Sequence, residues 1–417
     1  MSSPEGLDRL DVIGPDHYAR SGYPHSEWAR LRRESPLHWF ERVNPSTKGF
    51  WAVTRHADIV WISKQPRRFL NAPRLAVLPD IVPPEHGPRP PRHLLVMDPP
   101  DHARFRSLVS RRFSPRALRG LLPGVEAIAR DLVDDLARDG ARGECDFVDR
   151  FSAILPLAVI AEILGVPPED RKLLFEWTNS TIGSTDPEYQ RPGEQAADTA
   201  VRARLELFQY FASLAEERRR APRDDLVSAL ANARLDGAPL PPLELLSYFF
   251  LIVVAGNETT RNATSGGLLA LIEHPEELRR LRAAPGLLDG AVEEIVRWTS
   301  PVIQFVRTAV ADCEVRGQRI RAGDSLCLFY PSANRDEEVF DAPFEFRIDR
   351  APNPHLGFGI GEHFCLGANV ARLELRVAFR HLLARLEHVE LAGPVERLRS
   401  SFVGGIKRMP VRLTWRS

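Results

Sequence analysis

The sequence predicts a mainly α-helical fold with a minor β region, built as one domain over residues 1–417. Three observations carry this. Apolar residues recur at helical spacing through most long segments. Strand-like runs are few, short and gathered in two places. No linker divides the chain and no internal repeat is visible. Composition agrees, with 43% apolar and 27% charged residues, the mix of an ordinary globule. A chain of 417 residues can bury a core with room for a cofactor.

The elements follow in order. Residues 50–53 and 59–62 are expected strands flanking one turn region. Segment 71–101 is rich in proline, from Pro73 to Pro100, and cannot be regular helix. An irregular stretch of that length inside a compact domain is usually functional or disordered. Residues 101–112 form a helix with Asp101 as its cap. Residues 123–138 are amphipathic. Residues 151–164 are apolar and stop at Gly165 and Pro167. A loop at 185–194 leads to an amphipathic helix over 201–220, whose basic end, Arg218 to Arg220, suits a helix C-terminus. A second loop at 236–242 opens one very long helix, 242–273, with an apolar middle. Helix 287–298 is stopped by Pro301. Residues 302–310, 313–316 and 325–329 form the second strand cluster. Residues 367–386 form the last long helix.

Charge and cysteines narrow the function. Net charge is zero, from 56 basic and 56 acidic residues. A nucleic-acid binder carries a basic excess, so that class is disfavoured. Cys145, Cys313, Cys327 and Cys365 lie far apart without a CxxC pair. That argues against structural zinc and a disulfide scaffold, and for a reducing compartment. The first ten residues lack the apolar stretch of a signal peptide. The longest apolar run, 248–255, is far short of the roughly 20 residues that span a bilayer. A cytoplasmic protein without a membrane anchor is expected.

The strongest chemical signal is Phe358-Gly359-Ile360-Gly361-Glu362-His363-Phe364-Cys365-Leu366-Gly367. Glycines let the backbone turn sharply and approach a flat ligand. Cys365 then sits near a helix N-terminus, where the dipole and free N–H groups favour a thiolate. An anionic sulfur is what haem iron takes as a ligand that promotes O–O cleavage.

This loop resembles the haem-binding signature of the cytochrome P450 family, and the resemblance spans about residues 50–411. Three further motifs join it. Glu294-Ile295-Val296-Arg297 places Glu294 and Arg297 on one helix face. Alone, such a pair is a solvated surface pair of little energy. Beside Cys365 it resembles the family's buried ExxR pair, with Arg350 as third member and a structural role. Ala255-Gly256-Asn257-Glu258-Thr259-Thr260 interrupts the apolar middle of the long helix. Gly256 and the threonines cost helix stability there, which invites a functional explanation. A small residue makes room for O2, and Glu258 and Thr259 resemble the family's acid–alcohol pair for proton delivery. Finally, His102, Arg106, Arg307 and His363 match cationic contacts to the haem propionates. The resemblance also makes Phe358, Gly359, Gly361, Gly367 and Ala255 neighbours of haem b.

The resemblance implies a monooxygenase that hydroxylates an unactivated C–H bond of an apolar substrate. O2 is the oxidant, and a ferredoxin with its reductase supplies electrons. Arg104, Arg111, Arg112 and Arg372 are the candidate docking surface, and a monomer is expected. The pocket is expected between a roof from 71–96 and 180–195 and walls of Leu251, Val254, Ala255, Ile303, Phe305 and Val403. Residues 255–262, 332–337, 353–359 and 405–407 look like actinobacterial hydroxylases of steroids and methyl-branched lipids. Phe358 and Cys365 keep the shorter, general spacing, where those relatives often carry one more residue. The substrate is therefore expected to be a steroid, terpenoid or branched lipid. The alternative is a tailoring hydroxylase of a polyketide or macrolide pathway. A haem gas-binding protein needs no Glu258–Thr259 pair. A peroxide-driven haem enzyme typically lacks the hydroxyl at 259 or takes its acid from elsewhere.

Overall fold

The computed structural model describes residues 6–41, 47–78, 92–138, 140, 142–184 and 186–416. Its axis is the helix Pro242–Glu273. Pro242 opens it at the position where a missing N–H costs nothing. Phe249, Val253, Leu268 and Leu271 are buried along it. Helices Ile154–Leu164, Arg171–Ile182, Leu288–Thr299 and Ala368–Arg385 pack around it. Gly256 belongs to this packing. A Cβ there would lie 2.8 Å from Ile160 Cδ1. The small residue lets two helices approach closely.

The β region is minor, as expected. A five-stranded sheet runs in the spatial order Leu37–Phe40, Phe50–Val53, Ser325–Phe329, Gln304–Ala309, Phe69–Leu70. Only Phe50–Val53 with Ser325–Phe329 is parallel. The expected run 313–316 becomes the strand Cys313–Val315, paired with Gln318–Ile320 in a separate hairpin. A further sheet joins Leu386–Leu391, Pro410–Trp415 and Arg142–Asp146.

Several boundaries and one element differ from expectation. Residues 59–62 are helical, within His56–Ser63. Asp58, Ile59, Ile62 and Ser63 form its buried face, while Trp61 is exposed. Four consecutive apolar residues look like a strand, but burial here follows helical spacing. Asp101 is not a cap. Pro100 holds that position without a side-chain bond, and the Asp101 carboxylate pairs with Arg92 and Arg104. The helix expected from 123 starts at Pro115, where the Ser114 hydroxyl accepts from Ala117 N–H, and Pro123 lies inside it. The helix expected from 201 starts at Ala196, behind a capping box of Gln195 and Asp198. In the proline-rich stretch, 79–91 lies outside the described residues, as does Thr185 of the 185–194 loop. Among the described residues, no helix is long and apolar enough to cross a membrane.

Candidate active site

Residues 356–367 deliver Cys365 to the start of helix Ala368–Arg385. The loop closes on itself. Cys365 N–H donates to Phe358 O at 2.9 Å, and Phe364 N–H to Gly361 O at 3.1 Å. Gly359 and Gly361 hold φ at +67° and +79°, where other residues are strained, and a Cβ at 361 would lie 2.5 Å from Ser63 O. Gly367 is the residue that caps the helix. Cys365 carries accessible surface, yet the surrounding protein pushes its thiol up by burial. The Gly367 N–H and the guanidiniums of Arg106 and Arg372 pull the other way without overcoming this.

Beneath the loop lies a buried ionic network. Arg297 donates to both Glu294 oxygens at 2.7 Å, and both side chains are fully buried. Arg350 Nε adds bonds at 3.2 and 3.3 Å. Arg297 also donates to the carbonyls of Asn334, Pro343 and Glu345. The pair is thus a crosslink between helix Leu288–Thr299 and the segment before the Cys365 loop, not a solvated surface pair. Neighbouring Glu293 continues it, accepting from Arg372 at 2.7 Å twice and lying 3.1 Å from His355 Nε2. Arg372 stacks 4.4 Å from the Phe358 ring centre. Arg372, a candidate docking residue, is held by Glu293 and Phe358, as Arg104 is paired with Asp101 and Asp236 and Arg112 with Asp224.

The four expected cations converge. His102 and Arg106 project from helix Asp101–Ser110, Arg307 from strand Gln304–Ala309 and His363 from the loop. The rings of His102 and His363 lie 4.0 Å apart. Burial, then the positive fields of His102, Arg307 and Arg106, hold His363 down at about 2. His363 Nε2 is buried without a hydrogen-bond partner. Arg307 is buried and donates to its own neighbour's carbonyl, Val306 O. Arg106 donates to Phe364 O at 2.7 Å. The acid within the group is Glu362, 3.0 Å from His102 Nδ1.

A cavity of about 260 Å³ opens beside the middle of the long helix. Leu251, Val254, Ala255, Phe305 and Val403 line it as expected, with Glu258 and Thr259. Leu75, Leu78, His93 and Leu95 line it from the proline-rich side, and Thr181, Ile182 and Ser184 from the other expected roof segment. Ile303 does not line it. Its side chain is fully buried in a separate core with Trp28 and Val306. Val302 bridges to Val403 and takes the wall position, so the next residue points away. Glu258 is 1% exposed and faces Arg261 Nη2 at 2.5 Å. Burial pushes its carboxyl up, against the pull of Arg261. Thr259 Oγ1 donates to Ala255 O at 2.8 Å.

Comparison with known proteins gives this arrangement a family. The cytochrome P450 family model matches residues 79–284 and 286–410. The chain belongs to the cytochrome P450 family. It is 39% identical to a methyl-branched lipid omega-hydroxylase of Mycobacterium tuberculosis, over 98% of this chain and 94% of that protein. It is 38% identical to a steroid C26-monooxygenase of Rhodococcus jostii, over 98% and 85%. Among solved structures, Mycobacterium marinum cytochrome P450 CYP268A2 in complex with pseudoionone matches at TM-score 0.89. It is 37% identical, covering 98% of this chain and 100% of that one.

As a cytochrome P450 this chain is a monooxygenase, and its family implies a haem-iron cofactor. The residues present fit that group. Two arginines and two histidines gathered around Glu362 can take further anionic partners, and His363 Nε2 is an orphaned buried polar atom. Two carboxylates answer both demands. Sequence reasoning missed Glu362, Arg261, Glu293 and His93. Glu362 stood inside the quoted loop, and Arg261 lies three residues from Glu258, so spacing could have found both. His93 and Glu293 carried no signal of their own.

Proposed function

We propose that this cytochrome P450 binds haem b through Cys365 and hydroxylates an unactivated C–H bond of an apolar substrate, a steroid, terpenoid or branched lipid. One observation carries the reading. A cavity walled by apolar side chains is also lined by a buried acid and a threonine on successive residues of the long helix.

Haem, when bound, supplies O2 activation using electrons from a partner protein. The chain's own residues do the rest. Cys365 would supply the sulfur ligand to the haem iron. His102, Arg106, Arg307 and His363 hold the two propionates. Phe358, Gly359, Gly361 and Gly367 shape the loop, and Ala255 presents a small side chain to the cavity. Glu294, Arg297 and Arg350 fix the segment beneath. Glu258 holds a proton more readily than a solvated carboxylate does, because it is buried. It passes that proton towards the cavity with the Thr259 hydroxyl. Leu251, Val254, Phe305 and Val403 exclude water and orient the substrate by shape.

Relatives named for methyl-branched lipids and steroids, and one solved with pseudoionone, support the apolar substrate class. Electrons come from a ferredoxin and its reductase. The ferredoxin docks on Arg104, Arg111, Arg112 and Arg372, where charge complementarity speeds association. The protein works as a single-domain cytoplasmic monomer.

The test is the difference spectrum of the reduced protein with carbon monoxide. A band at about 450 nm marks a thiolate ligand, and Cys365→His is expected to abolish it. Wild-type hydroxylation surviving in Cys365→His would overturn the ligand assignment. Turnover with ferredoxin-supplied electrons, compared with hydrogen peroxide, tests the electron source.

A further inference from the structure

Besides Glu258, whose oxygens lie against Arg261, a neutral polar side chain on the cavity wall has an unpartnered atom. His93 lines the cavity, and its Nδ1 is buried without a hydrogen bond. A buried polar atom left unpaired is costly and calls for an explanation. Several neutral polar groups on the wall are already engaged. Thr181 Oγ1 donates to Trp177 O at 2.7 Å. Ser400 Oγ accepts from the amides of Phe402 and Val403 at 3.2 and 3.3 Å. Thr259 is bonded to Ala255 O, and Glu258 faces Arg261.

The backbone that carries the imidazole is also tied in place. It precedes the short turn Leu94–Val96. Asn71 Nδ2 donates to Leu95 O at 2.9 Å, and Asp98 accepts from the amides of Asn71 and Ala72. Burial pushes His93 down to about 4. At neutral pH it therefore offers one donor and one acceptor and no charge.

We propose that His93 is the specificity-determining polar contact of the cavity, hydrogen-bonding the single carbonyl or hydroxyl of a compact, otherwise apolar substrate. The inference rests on the cavity being the substrate site of this P450. It narrows the substrate class in two ways. First, the wall includes no arginine or lysine among the described residues, so a carboxylate finds no cation while a neutral oxygen finds a partner. Second, a cavity of about 260 Å³ lies below the roughly 300–1,000 Å³ of drug-sized sites. A branched chain or small terpenoid fits that volume better than a four-ring skeleton. A hydrocarbon of the same shape would leave the His93 nitrogen unpaired, which is how a polar group in an apolar pocket discriminates.

The test is calorimetric titration of the haem-loaded enzyme with two probes. One is pseudoionone, a branched unsaturated methyl ketone. The other is the hydrocarbon of the same skeleton without the carbonyl. The wild type is expected to bind the ketone about tenfold tighter, the worth of one neutral hydrogen bond. His93→Phe removes that preference and leaves hydrocarbon affinity within about twofold, since only the hydrogen bond is lost. His93→Asn, which keeps a donor and an acceptor, restores part of it. His93→Ala gives the same reading as His93→Phe where the phenyl ring crowds the wall. A preference that survives in both His93→Phe and His93→Ala overturns the proposal. So does a wild type that binds neither probe or both alike. The carbon monoxide band separates this from failure of the underlying reading. Absence of that band from the wild type would overturn the haem-thiolate assignment itself, whatever the probes do.

Discussion

At the scale of single residues, the site divides by how each side chain earns its place. Cys365 stands out in the sequence because its neighbours have unusual backbone duties that only glycine performs easily. Its chemistry is written along the chain, within ten consecutive residues. Glu258 and Thr259 stand out for the opposite reason, as polar residues placed where a helix would do better with leucine. The structure adds what makes Glu258 unlike a surface acid. It is buried, and neither oxygen is engaged in a well-formed hydrogen bond, although Arg261 Nη2 lies 2.5 Å away. Thr259 is tied back to Ala255 O, so its hydroxyl keeps acceptor lone pairs free on the cavity side. Thr259→Ala removes that hydroxyl without disturbing a packed core residue. It is expected to raise the share of electrons lost to hydrogen peroxide severalfold, because general acid–base groups contribute about 10²–10⁴-fold to their step. Peroxide released per electron pair consumed is the measurement. Unchanged coupling would place proton delivery elsewhere.

At the scale of elements, legibility followed locality. The long helix, Pro242–Glu273, was readable end to end, because proline opens it and apolar runs on both sides of the polar 256–262 stretch keep helical spacing. The strands Phe50–Val53 and Ser325–Phe329 were readable from short β-branched and aromatic runs. What failed depended on partners distant in the chain. Residues 59–62 look like a strand until the burial of Asp58 and Ser63 shows which face packs inward. Val302 and Ile303 differ in facing only because Val302 pairs with Val403, about a hundred residues away. Arg372 is an ordinary arginine in sequence and a fixed support in space, because Glu293 comes from another helix. The Cys365 loop combines both kinds of information. Its glycines are visible in sequence, but the reason Gly361 cannot change lies in Ser63. Gly361→Ala adds a Cβ against a backbone carbonyl at positive φ. Strain of this kind costs about 1–3 kcal/mol, and the carbonyl cannot step aside as a side chain could. The variant is expected to unfold at lower urea concentration and to convert part of its band at about 450 nm into one at about 420 nm, the sign of a disturbed thiolate ligand. Stability and spectrum both equal to wild type would show that the loop tolerates a displaced turn.

At the scale of the whole molecule, equal numbers of acidic and basic residues leave no net self-repulsion at neutral pH. The pH dependence of stability therefore rests on individual groups, and two carboxyls pull it in opposite directions. Burial alone would raise Glu293, but hydrogen bonds from Arg372 and His355 outweigh it and hold the carboxyl at about 2. An unfolded glutamate titrates at about 4.3. The folded state thus binds fewer protons at Glu293 than the unfolded state between those values. Its contribution is fully present above about pH 5 and is lost as pH falls towards 2. Glu258 runs the other way. Burial raises it despite Arg261, so folding is penalised as pH climbs above the ordinary glutamate range. Acidification also charges the whole chain, so the informative quantity is the difference between each variant and wild type at matched pH. Glu293→Gln is expected to lower the urea midpoint at pH 7, with the deficit shrinking to about half by pH 3. Glu258→Gln is expected to match or exceed the wild-type midpoint at pH 7, while slowing substrate turnover, and to converge with it at low pH. Urea titrations of the three proteins from pH 3 to pH 8 decide the matter. A Glu293→Gln curve running parallel to wild type at every pH would mean that Arg372 and His355 do not stabilise the ionised acid. A Glu258→Gln midpoint well below wild type at pH 7 would mean that Arg261 fully compensates the buried charge, and that Glu258 is a structural ion pair rather than a proton-holding group.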